Sequence, residues 1–126
     1  MVYIKNTAPE MVANDSPDVL IVGTAVRIFM ISPVSKKWLR KLKGQLNKNK
    51  KSIKYGISFV THVLDFDKIK NKGNRFNESL KKGNVIANVY PEWIDGQVKT
   101  AEGPFKEGVI ERIEKECKEI SKWIKS

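Results

Sequence analysis

The run Val19-Leu20-Ile21-Val22 stands between the charged Asp18 and the pair Gly23-Thr24, an apolar block with no polar alternation and too short for a helix. Such a block predicts a parallel strand buried on both faces, and its stop at Gly23-Thr24 predicts a loop that feeds a helix. In open α/β sheets that is where ligands are held. The next segment opens with Ser32 as a helix cap and Pro33 at the first helical position, and Val34, Trp38 and Leu42 share one helical face, with Gly44 as the expected stop. Residues 53–60 are β-branched and aromatic and predict a second strand, ending at Thr61-His62. Residues 65–74 are polar and read as a loop, followed by a short helix through Phe76, Ser79 and Leu80 that ends at Gly83.

Residues 85–90 predict a third strand, after which Asp95-Gly96 either turns a small hairpin back through residues 97–99 or belongs to a plain loop. Val109, Ile110, Ile113, Cys117, Ile120 and Ile124 make the apolar stripe of a C-terminal helix of about four turns, acidic early and basic late as the helix dipole favours. Upstream, residues 2–4 form a short apolar start and residues 6–17 read as a connection. Strands alternating with helices imply an α/β fold, a parallel sheet with right-handed crossovers and helices on both faces.

Composition narrows the class. At 126 residues the chain predicts one domain, residues 1–126. With 40% hydrophobic and 30% charged residues and no apolar run near the roughly 20 that a membrane span needs, it reads as a soluble protein. The first residues lack the pattern of a signal peptide, so the expected location is cytoplasmic. One cysteine and one histidine exclude an internal disulfide and a Cys/His metal cage, and no metal is expected.

Charge adds the second conspicuous feature. The net charge is +10, and residues 36–54 contain nine Lys and Arg with no acid: Lys36, Lys37, Arg40, Lys41, Lys43, Lys48, Lys50, Lys51 and Lys54. Two readings follow, a solvated helix face, which is preferred, and a docking surface for a polyanion, either nucleic acid or an acidic protein.

Few residues carry chemistry. His62 could deliver a proton from a strand end, but no acid stands at a spacing that would partner it, so it is read as a loop residue without a catalytic task. Cys117 lies on the apolar stripe and is read as a buried structural thiol. Trp38, Trp93 and Trp123 are assigned to packing in preference to a ligand or partner contact. Asp65 and Asp67, beside Lys68 and Lys70, read as a solvated loop. No nucleophilic triad, P-loop or carboxylate pair is present, and no catalytic residue is assigned.

The order of motifs resembles the flavodoxins and flavodoxin-like domains. The likeness rests on residues 18–22 followed by Gly23-Thr24-Ala25-Val26-Arg27, on the helix over 32–43, and on the strand running into Phe59-Val60-Thr61-His62. It continues through the loop 63–74, the short helix, the strand 85–89, Glu102-Gly103-Pro104-Phe105-Lys106-Glu107-Gly108 and the C-terminal helix. The resemblance implies a three-layer, doubly wound sheet of about four strands that binds FMN at the carboxyl ends of its strands and transfers electrons, as a carrier or a flavin-reductase-like module. By position the ring would lie between the loops 24–30 and 61–67. Thr24, Ala25, Val26, Arg27, Ile28, Phe29, Thr61, His62 and Val63 would contact it, with Phe29 covering a face and Arg27 stabilising an anionic ring or the phosphate.

The family's Ser/Thr-rich phosphate loop has no counterpart here. Residues 2–4 correspond to its second strand, so the resemblance implies that the first strand, phosphate loop and first helix are lacking. The chain is then expected either to be the product of a truncated or split gene, with an open sheet edge beside residues 19–22, or to have that edge filled by residues 2–4 moving inward, which is preferred, by a second copy or by a complementing chain. Flavodoxins are acidic and this chain is basic, so its redox partner is expected to be acidic. The alternative function is a binding module without catalysis, whose basic helix docks nucleic acid or an acidic protein.

Overall fold

Ile53–His62 is the axis of the sheet, the strand with neighbours along both edges. In the computed structural model, residues 8–15, 17–27, 30–100 and 103–126 are described. The elements in chain order are α1 (Pro9–Asp15), β1 (Val19–Arg27), β2 (Met30–Ile31), α2 (Pro33–Lys48), β3 (Ile53–His62), α3 (Phe66–Lys81), β4 (Ile86–Val89), β5 (Ile94–Gln97) and α4 (Val109–Lys125). β3 pairs in parallel with β1 from Val19↔Tyr55 to Val26↔His62. Its other edge is shared by β4, from Ile53↔Ile86 to Gly56↔Val89, and β5, from Phe59↔Ile94 to His62↔Gln97, both parallel. β2 joins antiparallel to β1 through Val26↔Ile31 and Arg27↔Met30. The fold is therefore α/β with a mixed, mostly parallel sheet.

Alternation along β3 sends its side chains to two cores. Ile57 meets Ile94 of β5 and Ile120 of α4, with Phe59, Tyr90, Ile113 and Ile124 against them. Val60 belongs to the larger cluster, in which Leu20, Val22 and Val26 of β1 meet α1, α2 and α3 through Val12, Leu39, Leu42, Ile69, Phe76 and Leu80. Burial of each such aliphatic side chain contributes at most about 1.5–3 kcal/mol. A polar bridge sits between them: Ser58 Oγ donates to Asn77 Oδ1 at 2.7 Å, and Asn77 Nδ2 donates to the carbonyls of Tyr90 and Pro91 at 3.0 and 3.1 Å. One α3 side chain thus anchors the connection between β4 and β5, and its buried amide is hydrogen-bonded at both ends.

Several expectations are corrected. β1 runs on to Arg27, because Thr24 and Val26 continue its inward face and β2 folds back on its end. It is buried on one face only: Val19 is 38% and Ile21 54% exposed. Residues 2–4 lie outside the described residues; among those described, β2 is the only strand on that edge of β1, and it reaches no further than Val26. Part of the expected connection over residues 6–17 is α1, whose Val12 and Ala13 are buried.

α2 begins at Pro33 as expected but passes through Gly44 to Lys48, because Leu42 and Leu46 carry its buried stripe across the glycine, while Val34 is 65% exposed. The expected loop over 65–74 is most of α3. Its inner stripe is Ile69, Gly73, Phe76, Asn77 and Leu80, and the glycine and asparagine disguise the helical period. Gly73 is required by packing, since a Cβ there would run into the Trp93 indole. Asp95 and Gly96 turn no hairpin; they lie in β5, where Gly96 leaves room for the Phe59 ring. On α4 Cys117 is exposed, not buried, because the helix turns Val109 and Ile120 inward and only that narrow seam meets the sheet.

Candidate functional site

The parallel pairing of β1 with β3 determines where the expected ring-binding residues lie. Ala25 stands opposite Thr61 and Val26 opposite His62, so the two stretches end side by side at the carboxyl edge of the sheet. Thr24 and Val26 are buried on the face toward α2 and α3. Ala25 and Thr61 are half-buried, and the Thr61 hydroxyl donates to the Thr24 carbonyl at 3.5 Å. Thr24 Oγ1 is buried and has no hydrogen-bond partner among the described residues. Val63 is 46% exposed just beyond β3. Arg27 is the last residue of β1; Ile28 and Phe29 lie outside the described residues.

His62 is neither in a loop nor alone. It is the last residue of β3, with its ring 2% exposed. Its Nδ1 lies 2.5 Å from the Leu64 carbonyl, which can only accept, so Nδ1 carries a hydrogen. Its Nε2 faces Asp95 Oδ1. With both ring nitrogens engaged and the ring sealed against Trp93, His62 ties the end of β3 to β5 and to the loop entering α3. Its chemistry is that of a clamp. Asp95 escapes sequence reasoning because it lies 33 residues away, brought near by the β3–β5 register.

Asp95 also borders a cleft of about 340 Å³ among α3, the β4–β5 connection and α4, walled by Phe66, Trp93, Arg112, Ile113 and Glu116. Trp93 is stacked on Phe66 with ring centroids 5.3 Å apart, and its Nε1 donates to Asn74 Oδ1 at 3.1 Å, so packing is its role here. Arg112 Nη1 approaches Asp95 Oδ2 at 3.9 Å. Glu116 Oε1 is buried without a hydrogen-bond partner among the described residues. Burial, then the hydrogen bond and charge of Glu116, push the Tyr90 hydroxyl up to about 12, with Glu92 and Glu119 adding to the effect. Trp123 stands edge-on to both Tyr55 and Tyr90 at 5.3 and 5.2 Å, at the rim of the α4 core. Asp65 and Asp67 are both exposed, as expected, but they lie at the N-cap position and in the first turn of α3 and not in a loop, and Asp65 Oδ1 accepts from Gln97 Nε2 at 3.5 Å.

For FMN, the fit differs between the halves of the ligand. The paired strand ends offer the half-buried Thr61 and the exposed Val63 to a ring edge, while the Thr24 hydroxyl is buried on the opposite face. For the phosphate, the one lysine or arginine among the expected contacts is Arg27, the last residue of β1. Among the described residues no three His, Cys, Asp or Glu side chains gather as a metal site requires, and no helix is long and apolar enough to cross a membrane. No family model, curated protein or solved structure matches the chain.

Proposed function

We propose that this chain is a flavodoxin-like module that takes the FMN ring at the joined carboxyl ends of β1 and β3 and exchanges electrons with a partner protein. The reading is supported chiefly by the register Ala25↔Thr61 and Val26↔His62, which lines up the two stretches at the edge where α/β sheets bind ligands. Bound FMN would supply the redox chemistry. The chain's own residues position it: the Thr61 hydroxyl and the backbone beside it orient a ring edge, Val63 shields it, and the His62 clamp holds the end of β3 fixed beneath.

Because the Ser/Thr-rich phosphate loop has no counterpart here and Arg27 is the one lysine or arginine at these strand ends, FMN should bind no more than about tenfold more tightly than riboflavin. Titration of the purified protein with each, followed by flavin fluorescence, tests both statements. Saturable quenching at micromolar flavin, weakened about tenfold by Thr61→Val, is the expected result. No quenching at high-micromolar FMN overturns the reading.

A further inference from the structure

The sequence places nine cations on and after α2, but the fold adds a second row from α3. A groove of about 1040 Å³ runs between the two helices, larger than the roughly 300–1,000 Å³ typical of small-molecule sites. Its rims carry Lys36, Arg40 and Lys43 from α2, Lys72 and Arg75 from α3 and Lys82 just after it, against a single acid, Glu78. Glu78 is already paired with Lys81 at 2.9 Å, outside the rim. Among the described residues, none of the six rim cations is in an ion pair. Lys43 is bent onto the Ser79 carbonyl, and burial together with the charge of Lys82 lowers its affinity for a proton.

The lining between the rims is mainly apolar: Met30 is 63% exposed and Ile31, Leu39 and Phe76 are largely buried, with the polar Asn71, Asn74 and Ser79 beside them. A groove for single-stranded nucleic acid combines its cations with exposed aromatic rings on which bases stack. Here the one aromatic residue, Phe76, is 2% exposed. Apolar floor and cationic rims complement an amphipathic segment whose apolar anchors are flanked by carboxylates.

We propose that the α2–α3 groove is a docking site for an acidic, amphipathic segment of a partner protein. This holds whether or not the strand ends carry a flavin, so its test is separate from the flavin titration. The probe is a fluorescent synthetic helix-forming peptide with leucines on one face and glutamates flanking them. Its controls are the same residues scrambled and a single-stranded RNA, with anisotropy read at low and physiological salt. The patterned peptide should bind about tenfold more tightly than the scrambled one. Binding should weaken about tenfold with Lys36→Gln/Arg40→Gln, or with Lys72→Gln/Arg75→Gln, and should fall with salt.

Met30→Ser removes an exposed apolar anchor and should weaken the patterned peptide while leaving the scrambled one unchanged. All five side chains but Lys72 are exposed, and circular dichroism is the check that each variant is folded. The proposal is overturned if the two peptides bind equally, if the rim variants bind as well as the parent, or if RNA binds more tightly than the patterned peptide, which would make the groove a phosphate surface.

Discussion

His62 and Asp95 act as one unit at the residue scale. The ring nitrogens face two acceptors, so removing Asp95 strands the buried ring, and removing His62 leaves Asp95 with Arg112 as its remaining charge partner. His62→Gln or Asp95→Asn alone should cost about 2–4 kcal/mol of unfolding free energy in a urea titration. The double variant should cost less than their sum, leaving a coupling of about 1–3 kcal/mol. Additive losses would show that the clamp does not exist. The histidine is visible in the sequence as a strand-end residue, but the acid that completes it is not, because only the pairing of β3 with β5 brings residue 95 beside residue 62. Cys117 fails for the opposite reason: its period matches the apolar stripe, yet α4 meets the sheet along a seam narrower than that stripe.

Two glycines at the element scale separate propensity from packing. Gly44 lies exposed within α2 with open space where a Cβ would go, so Gly44→Ala should stabilise by about 0.5–1 kcal/mol through helix propensity alone. Gly73 lies within α3 under the Trp93 indole, and Gly73→Ala should destabilise by about 1–3 kcal/mol through overpacking. Thermal unfolding of the two variants decides the matter; a gain at both positions would mean that Trp93 does not press on α3. The same pair explains the reading errors. Gly44 suggests a stop that the Leu42 and Leu46 stripe overrides, and Gly73 with Asn77 hides the period of a helix held by Trp93 and Ser58.

At the scale of the whole molecule, the two sides of the sheet differ among the described residues. α4 covers β3 and β5, while Val19 and Ile21 of β1 face outward and no described strand pairs beyond Val26 toward the start of β1. An apolar edge strand of that kind recruits other strands. Ile21→Lys should leave unfolding free energy within about 0.5 kcal/mol of the parent and reduce self-association in sedimentation at high protein concentration. A parent that sediments as a monomer at every concentration would refute this.

What the sequence alone determines here is local. The apolar block at residues 19–22, the Ser32-Pro33 start of α2, the strand into His62 and the amphipathic α4 all follow from short-range pattern, and together they give the α/β class. The resemblance to flavodoxins, and the FMN reading drawn from it, come from motif order and stand as a proposal. The tertiary structure alone decides what depends on distant segments meeting: Asp95 against His62, Trp93 on Gly73, and the α3 cations facing those of α2 across an apolar floor. Each of these joins side chains too far apart in the chain for any helical or strand period to relate them, so only the register of the strands and the crossing of the helices brings them together.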